Sequence, residues 1–458
     1  MMKNMTLENI AAACGGQIYY MREDLAQETA KGVVIDSRQI EPGYIFVATK
    51  GERVDGHRFI PDVFAKGALA VICEVLPEED LGPCILVEDS FMALKQAAAF
   101  YRQQLNIRVV GITGSVGKTS TKEFIAAVLA EKYKVHKTAG NYNNEVGLPL
   151  TIFGIQDDDQ IAVLEMGINT FGEMHRLSEV ARPDICVMTN IGQCHLENLI
   201  DRDGILRAKS EIFDFMNPEG TVIVNGDDDK LATVDGYHGV KPVFFGLDAK
   251  RDVYADQIVS RGLKGVSCRI HMDEDAFDVL VPTPGIHMVY NALAAAAVGR
   301  IYGLTIEEIK RGIESLETIR GRFKMIETEN FLVVDDCYNA NPMSMKASLD
   351  VLHDGEGRRV AILGDMGELG ENEISLHEEV GEHAAKCGID VCICVGELSL
   401  HIAEAARKAD PDFEVHYEKD RESLLKNLGG YVRKGDTILV KASHFMKFEE
   451  VVDALEKM

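Results

Sequence analysis

Residues 111–120 read GITGSVGKTS, a glycine-rich segment that ends in Gly-Lys-Thr-Ser. The segment follows an apolar, β-branched run at residues 107–112 and precedes a helix-like stretch that begins near Lys118. Glycines let consecutive backbone N–H groups converge on phosphate oxygens, a lysine adds a positive charge, and the hydroxyl of Thr119 can bind Mg²⁺. The segment therefore predicts a nucleotide phosphate site, and ATP with Mg²⁺ is the first ligand to expect.

The spacing of this segment departs from the usual pattern G-x-x-x-x-G-K-[ST]. Ile112 stands where the first glycine belongs, and Gly114 comes two residues later. A shortened variant of the phosphate loop is implied, so residues elsewhere in the chain have to support the assignment.

Polar side chains follow two further predicted strands. Glu165 ends the apolar run at residues 161–165, and Asn190 and His195 follow the run at residues 185–189. In doubly wound parallel sheets, the carboxyl ends of the strands carry the site. Glu165 would bring a carboxylate beside the phosphates, where it can hold Mg²⁺. His195 can join it, although a histidine in such a place is more often a packing residue when it stands alone.

Three more segments carry groups that suit ligand contacts. Lys209 lies in a helical segment, where a solvated lysine is the ordinary expectation. Residues 141–151 contain three asparagines before Gly-Leu-Pro, and residues 335–342 read DDCYNANP directly after a strand. Turn chemistry explains asparagine and proline in both places. The number of asparagines and the two acidic residues at a strand end nevertheless favour a site.

Alternating strand and helix patterns must position these residues. The first strand-like runs lie at residues 32–35, 44–48, 69–73 and 85–87 and predict a small α/β domain. A helical pattern at residues 91–105 leads into a second unit, whose β-branched runs at 107–112, 161–165, 185–189 and 221–224 are separated by segments long enough for crossover helices. That alternation indicates a parallel sheet. Helices at residues 291–302 and 306–316 close this unit, and Gly321 follows as a hinge or boundary.

A third alternating series begins at residue 331 and predicts a Rossmann-like domain. Its strands are expected at residues 331–334, 359–363, 391–395 and 437–440. A length of 458 residues fits about three domains. We therefore predict an α/β protein with a small N-terminal α/β domain at residues 1–87, a central P-loop ATPase-like parallel-sheet domain at residues 88–318 and a C-terminal Rossmann-like domain at residues 319–458.

The charge of the chain restricts its partners. A formal net charge of -26 disfavours nonspecific binding to nucleic acid or to anionic membranes, because such surfaces attract basic proteins. Screening over about 8 Å at physiological ionic strength still allows a basic pocket for an anionic substrate. No nucleic-acid partner and no membrane insertion are expected.

The ten cysteines indicate reduced core thiols rather than disulfides or a zinc site, because no C-x-x-C pair occurs. Cys186 and Cys392, for example, lie within apolar runs. No signal-peptide pattern and no run of about 18 apolar residues is present. The expected location is the cytoplasm.

Taken together, these segments resemble the ATP-dependent Mur ligases. The resemblance spans nearly the whole chain and rests on residues 36–38, 50–57, 113–120, 141–151, 165–167, 189–192 with His195, 321–322 and 335–342. Residues 363–370, LGDMGELG, resemble the member of the family that adds a dipeptide. The Asp-Asn-Pro-Arg motif of the diaminopimelate-adding member is absent.

The resemblance implies a role for each matching residue. The UDP-muramoyl substrate would be bound by Ser37, Arg38, Lys50, His57, Asn141, Asn143 and Asn144. The phosphates of ATP would be bound by Gly114, Ser115, Val116, Gly117, Lys118, Thr119 and Ser120, and its adenine side by Asn291. The closing C-terminal domain would supply Arg322, Asp336, Tyr338 and Asn339. Mg²⁺ would be organised by Thr119, Glu165, His195 and Lys209, the last of which several relatives carry as a carbamate. The catalytic set would be Lys118, Glu165, His195, Lys209 and Arg322.

The resemblance also implies the reaction. The carboxylate of UDP-N-acetylmuramoyl-tripeptide would attack ATP to give an acyl phosphate, and D-alanyl-D-alanine would then displace phosphate, in peptidoglycan precursor synthesis by a monomeric enzyme. The alternatives are another amino-acid ligase of the family, a folylpolyglutamate synthase-like ligase, and a nucleotide-gated binding protein without ligase activity. Two departures stand out: His444 replaces the arginine of a Lys-Gly-Ser-Arg motif, and Cys194 replaces a common alanine.

Overall fold

The computed structural model describes residues 1–25, 27–51, 54–194, 196–236 and 239–458. Three β-sheets follow one another along the chain, with five, nine and six strands. Helices pack on each sheet, so the protein has an α/β fold with three domains, as predicted. Among the described residues, none of the helices is both long enough and apolar enough to cross a membrane.

The N-terminal sheet is mostly parallel. Its strands are β1 (Gln17–Tyr19), β2 (Gly32–Val34), β3 (Tyr44–Val47), β4 (Ala70–Cys73) and β5 (Cys84–Leu86), in the order β1-β5-β4-β3-β2. Only β1 runs antiparallel to its neighbour β5. The helices of this part are α1 (Leu7–Cys14), α2 (Ile60–Ala65) and α3 (Ser90–Gln104). The three-residue strand β1 was not predicted, because it has no buried residue that would mark it as a strand.

The central sheet has a parallel half and an antiparallel extension. Its strands are β6 (Arg108–Thr113), β7 (Val135–Lys137), β8 (Ile161–Glu165), β9 (Ile185–Met188), β10 (Thr221–Asn225), β11 (Val243–Gly246), β12 (Val253–Ser260), β13 (Val266–Met272) and β14 (Asp275–Val281). The order is β14-β13-β12-β11-β10-β9-β6-β8-β7. The antiparallel strands β12 to β14 were not predicted, although β13 alternates buried and partly exposed residues along its length. That alternation is the period of a half-buried strand.

Seven helices accompany this sheet within the described part of the chain. They are α4 (Lys118–Ala130), α5 (Gly147–Phe153), α6 (Glu173–Ala181), α7 (Leu196–Leu199), α8 (Arg202–Ser210), α9 (Ile286–Ile301) and α10 (Ile306–Glu314). Helix α4 begins at Lys118, as the sequence predicted. Helix α9 begins five residues before the predicted start at residue 291, directly after Gly285, whose φ is +99°.

One continuous apolar core joins the first two domains. Helix α3 packs on α1 and also on α5 and α6, and its buried face includes Leu94 and Ala98. The same cluster of buried residues extends from Met5 in the N-terminal part to Val224 in β10. The packing therefore shows no break at the domain boundary predicted between residues 87 and 88. This boundary and the one between residues 318 and 319 remain predictions.

The C-terminal sheet is parallel except for its first strand. Its strands are β15 (Lys324–Glu327), β16 (Leu332–Asp335), β17 (Arg359–Gly364), β18 (Val391–Val395), β19 (Glu414–Glu418) and β20 (Thr437–Lys441), in the order β15-β16-β20-β17-β18-β19. Strand β15 pairs antiparallel with β16. The helices are α11 (Pro342–His353), α12 (Glu373–Lys386), α13 (Ser399–Ala409), α14 (Arg421–Tyr431) and α15 (Glu449–Glu456).

The order of the central strands decides where the predicted site residues meet. Strand β6 lies between β9 and β8, and it is parallel to both. The glycine-rich segment after β6 therefore lies at the same sheet edge as Glu165 at the end of β8 and Asn190 after β9. This is the edge at which ligands bind in open parallel sheets.

Candidate active site

The glycine-rich segment forms a loop between β6 and α4 that requires its glycines. Gly114 has a φ of +151° and Gly117 a φ of +82°, values that L-residues rarely adopt. A Cβ atom on Gly114 would also lie 1.9 Å from Oγ1 of Thr189. The loop can therefore approach the neighbouring strand end only because residue 114 has no side chain.

Residues after β9 hold the loop in place. The side chain of Asn190 accepts a hydrogen bond from the backbone N–H of Val116 and donates one to its carbonyl, both at 2.9 Å. The hydroxyl of Thr189 donates to the same carbonyl at 2.6 Å, and the N–H of Ser115 donates to the Asn190 carbonyl at 3.0 Å. Asn190 is thus a support for the phosphate loop, because both its amide oxygen and its amide nitrogen bond to the loop backbone.

Lys118 lies at the first position of α4 with its side chain folded over the loop. Its ammonium donates to the carbonyl of Gly114 at 2.8 Å. Within the part of the chain that the structure describes, no carboxylate forms an ion pair with it. The positive charge is therefore available to an anion bound at the N-terminus of the helix, where the helix dipole also favours negative charge.

The carboxylate of Glu165 lies directly beside the start of α4. Its Oε2 accepts a hydrogen bond from the hydroxyl of Thr119 at 2.9 Å, and its Oε1 accepts one from the amide of Asn143 at 2.8 Å. The side chain is only 1% exposed. Hydroxyl and carboxylate oxygens are the donors that Mg²⁺ prefers, and one or two carboxylates together with phosphate oxygens are its usual ligands in proteins. The pair of Thr119 and Glu165 fits a magnesium ion bound with a nucleotide.

Lys122 is a charged residue of this site that the sequence analysis missed. Its ammonium donates to the carbonyl of Thr138 at 2.8 Å and lies 3.7 Å from Oε2 of Glu165 and 3.2 Å from Oε1 of Glu123. The signal available in the sequence was its position three residues after Thr119, because residues three and four apart share one face of a helix.

Lys209 lies on α8 and is 1% exposed. Burial lowers the pKa of its ammonium to about 8, with Cys194 opposing the shift and the nearby charge of Lys118 adding to it. Among the described residues, Lys209 forms no ion pair with a carboxylate. A buried amine of this kind is partly neutral near physiological pH. His195, the other predicted metal ligand, lies outside the described residues.

The three asparagines of the loop before α5 have different roles. Asn143 donates to Glu165, as described above. Asn144 accepts hydrogen bonds from the backbone N–H groups of Gly147 at 2.8 Å and Val146 at 3.2 Å, so its side chain stabilises the start of α5. Asn141 lies near the hydroxyl of Tyr338 of the C-terminal domain, where it opposes the rise in that hydroxyl's pKa. Asn143 thus contacts the predicted cation site and Asn144 caps α5, and the substrate contacts of all three asparagines remain predictions.

Tyr338 joins the C-terminal domain to the central one. Its ring lies 4.0 Å from the guanidinium carbon of Arg322 and 5.3 Å, centroid to centroid, from the ring of His444. Burial raises the pKa of its hydroxyl, and the charge of Glu165 is close enough to contribute. Asn141 of the central domain opposes this rise in the pKa of Tyr338, so the tyrosine lies at the boundary between the two domains. His444, which replaces the arginine of the family motif, packs against this tyrosine.

The acidic side chain predicted in the loop after β16 is engaged within its own domain. Asp336 lies 2.5 Å from the ammonium of Lys441 and accepts a hydrogen bond from Ser348 at 2.7 Å. Lys441 also donates to the carbonyl of Asn339 at 3.2 Å, and the side chain of Asn339 accepts from the N–H of Ala340 at 2.9 Å. These contacts order the loop that carries Tyr338.

A cleft lies between α4, the start of α9 and the hinge before β15. Ser120 and Arg322 line it together with the apolar side chains of Phe124 and Met288. Asn291 lies behind the phosphate loop, where its amide oxygen accepts a hydrogen bond from Thr121 at 2.9 Å. Glu123, Thr283 and Glu317 also line the cleft, so its walls are partly polar and partly apolar.

The residues predicted to hold a UDP group lie on the N-terminal sheet. Arg38 is 87% exposed and forms a bidentate pair with Asp36, which lowers the pKa of that carboxyl to about 2. The carbonyl of Ser37 accepts a hydrogen bond from Lys66 at 2.8 Å. The positive charge of Arg38 therefore lies at the surface, and the positive charge of Lys66 lies beside Ser37.

His57, by contrast, is fully engaged in the N-terminal fold. Its Nε2 accepts the N–H of Glu74 at 2.9 Å, so the proton resides on Nδ1 and is donated to Asp55 at 2.7 Å. With both ring nitrogens occupied, His57 supports the turn next to Lys50 and has no free ring nitrogen for a ligand.

Models of one protein family match most of the chain. The model described as "Mur ligase family, catalytic domain" matches residues 29–133. "Mur ligase middle domain" matches residues 112–299, and "Mur ligase, glutamate ligase domain" matches residues 321–444. The three matches follow the order of the three sheets.

Relatives of known name and solved structures agree with these matches. The chain is 39% identical to the UDP-N-acetylmuramoyl-tripeptide--D-alanyl-D-alanine ligase of Bacillus subtilis (strain 168), over 98% of each protein. It matches the crystal structure of MurF from Acinetobacter baumannii with a TM-score of 0.91 and 31% identity over 100% of both chains. The MurF ligase of Thermotoga maritima in complex with ADP gives a TM-score of 0.81 and 31% identity, over 95% of this chain and 99% of that one.

Proposed function

The chain belongs to the Mur ligase family, and on that premise we propose that it joins D-alanyl-D-alanine to UDP-N-acetylmuramoyl-tripeptide at the expense of ATP. The observation that carries the proposal is the likeness, along the whole chain, to relatives named for this reaction. The phosphate loop with Lys118, Thr119 and Glu165 supports the ATP-dependent part of the chemistry. The product would be the pentapeptide precursor of peptidoglycan.

The reaction takes place in two transfers. A carboxylate oxygen of the tripeptide attacks the γ-phosphorus of ATP, the bond to the bridging oxygen breaks, and ADP leaves as an acyl phosphate forms. The free amine of the dipeptide then attacks the acyl carbon, loses a proton, and inorganic phosphate leaves as the amide forms. The acyl phosphate makes the second transfer feasible, because phosphate is a far better leaving group than an oxide.

The residues of the loop lower the barrier to the first transfer. Lys118 would offset the repulsion between the anionic carboxylate and the phosphates, the electrostatic contribution that dominates phosphoryl transfer. Thr119 and Glu165 would hold Mg²⁺, which supplies further positive charge to the phosphate oxygens. Arg38 in the N-terminal domain would contact the UDP group. Such a reaction belongs in the cytoplasm, where ATP is made.

Closure of the C-terminal domain would protect the acyl phosphate from water. Tyr338 lies near Asn141 at the domain boundary, and Arg322 packs on its ring at 4.0 Å. Water that reached the acyl phosphate would hydrolyse it and waste ATP. The closure therefore couples ATP cleavage to peptide formation.

The test of the function is ATP-dependent phosphate release with both substrates, each omitted in turn, with the product followed by mass. Release that requires both substrates and a product heavier by one dehydrated dipeptide would establish the reaction. If a single amino acid or a glutamate is joined instead, the ligase class holds and the substrate is wrong. ATP binding without any phosphate release would favour a nucleotide-gated binding protein.

Replacing Arg322 with alanine is expected to uncouple the two halves of the reaction. Tyr338 loses the guanidinium that packs on its ring, so closure weakens and water reaches the acyl phosphate. We expect more phosphate than ligated product, where the unmodified protein gives equal amounts. Arg311→Ala is the matched control, because this arginine is 58% exposed and pairs with Glu131 at the end of α4 away from the phosphate loop. Equal phosphate and product in Arg322→Ala would contradict the role of closure.

Lys209 is expected to carry a carbamate that is formed from carbon dioxide. Carbon dioxide adds to the neutral amine, and the lowered pKa of about 8 makes that form accessible near neutral pH. Carbamylation would convert a buried cation into an anion that suits a metal site. We expect a carbamate signal by ¹³C NMR after incubation with labelled bicarbonate, growing as pH rises toward 8, and its loss in Lys209→Met. Equal signals in both proteins would argue against the modification at this residue.

A further inference from the structure

A buried ammonium group lies behind the predicted cation site. Lys122 is 1% exposed, although lysine is almost never fully buried without a partner. Its ammonium has three oxygen neighbours: the Thr138 carbonyl at 2.8 Å, Glu123 at 3.2 Å and Glu165 at 3.7 Å. None of the chemistry described above uses this charge.

Glu123 offsets only part of the charge of Lys122, because the same carboxylate also pairs with Lys137. Lys137 pairs with Oε2 of Glu123 from the surface, with a lysine side chain that is 47% exposed. Glu165, by contrast, has no other cationic partner among the described residues. The neutral donors Thr119 and Asn143 complete its hydrogen bonds. Lys122 is therefore the one cation that pairs with Glu165 in the described part of the chain, while Lys122 itself is shared between Glu165 and Glu123.

We propose that Lys122 is the resident counter-charge of the cation site, which neutralises Glu165 before nucleotide binds and so makes the binding of a divalent cation depend on ATP. A divalent cation at Thr119 and Glu165 would be attracted by one carboxylate and repelled by the ammonium behind it. The phosphates of a nucleotide on the loop add the negative charge that restores net attraction. Lys122 acts through Glu165 and touches no substrate, so it is a positioning residue.

This arrangement has a chemical advantage. A cation bound tightly without nucleotide would have to be moved when ATP enters with its own magnesium ion. A lysine in place of that cation balances the negative charge of the Glu165 carboxylate in the meantime. The proposal rests on the proposed function for the identity of the nucleotide, but not for the identity of the peptide substrates.

The test measures Mn²⁺ binding by electron paramagnetic resonance, with and without a non-hydrolysable ATP analogue. The unmodified protein is expected to bind Mn²⁺ weakly alone and much more tightly with the analogue. Lys122→Met is expected to bind Mn²⁺ about tenfold more tightly than the unmodified protein when no nucleotide is present, because one opposing charge is gone. A merely structural role for Lys122 would weaken Mn²⁺ binding instead of strengthening it.

Lys137→Met is the matched control, because Lys137 pairs with Glu123 and not with Glu165. Its Mn²⁺ affinity is expected to equal that of the unmodified protein. Lys122→Gln serves as the second variant, since glutamine can still donate to the Thr138 carbonyl but carries no charge. Thermal unfolding checks that each variant is folded.

Two results would overturn the proposal. One is unchanged or weaker Mn²⁺ binding without nucleotide in a folded Lys122 variant. The other is equally tight Mn²⁺ binding to the unmodified protein with and without the analogue, a result that needs no variant. Because no peptide substrate enters these measurements, a failure of the substrate assignment would leave the outcome unaffected.

Discussion

Lys118→Ala is expected to lower kcat/KM by at least about a hundredfold while the protein stays folded, because one preorganised positive charge on the transferring phosphate is lost. The Lys118 ammonium donates to the Gly114 carbonyl at 2.8 Å and pairs with no carboxylate among the described residues. Its removal therefore breaks no ion pair and leaves no buried charge behind. The effect should fall on phosphoryl transfer and on ATP affinity, not on stability.

Phosphate release with both substrates measures this effect, and thermal unfolding separates it from misfolding. Lys134→Ala is a suitable control, because this half-exposed lysine of the same domain pairs with Asp158 at 2.5 Å, outside the site. We expect the control to keep nearly full activity. Near-normal turnover in Lys118→Ala would mean that the loop does not bind the reacting phosphates.

Glu165→Gln is expected to have the second large effect, a loss of turnover of about a hundredfold or more together with weaker binding of Mn²⁺ in the presence of nucleotide. The amide that replaces the carboxylate must turn its NH₂ group either toward the donating amide of Asn143 or toward the side on which the Lys122 ammonium lies 3.7 Å from Oε2. One donor then faces another donor in a buried place. The negative charge that would hold the cation is also lost.

The same change should reduce stability by about 1–3 kcal/mol, the cost of leaving a buried polar group unsatisfied. The loss of stability is limited, because the Lys122 ammonium still has two partners: Glu123 at 3.2 Å and the Thr138 carbonyl at 2.8 Å. Glu145→Gln is the matched control for the loss of a carboxylate, since Glu145 pairs with Lys95 and Arg176 away from the phosphate loop. If Glu165→Gln and Glu145→Gln lost activity equally, the effect would be one of stability and the cation role would be wrong.

The contiguous features of the site were predictable from the sequence. The phosphate loop is a continuous segment whose glycines, lysine and threonine act together through the local backbone, and α4 starts at the predicted residue. The position of Glu165 followed from the end of an apolar strand, because the carboxyl ends of parallel strands share one edge. These features depend on residues that are close together in the sequence, so one sequence is enough to predict them.

Several side chains that were predicted to contact ligands have hydrogen-bond or ion-pair partners within the protein. His57 and Asp336 were expected to contact substrate or ATP, yet each is held by its own domain. Asn144 stabilises the start of α5. A sequence pattern identifies a polar residue at a loop, but it does not say whether the nearest partner is a ligand or the protein. The role of His195 stays a prediction.

The sequence by itself determined the fold class, the phosphate loop and the strand ends that carry its chemistry, because these depend on periodicity and on residues close together in the chain. Only the tertiary structure decided the partners of Lys122, the hydrogen bond between Thr121 and Asn291, and the contact of Asn141 with Tyr338. Thr121 and Asn291, for instance, lie 170 residues apart. Such contacts arise from the packing of whole domains, and no local pattern records which distant side chain will fill the space beside a buried charge.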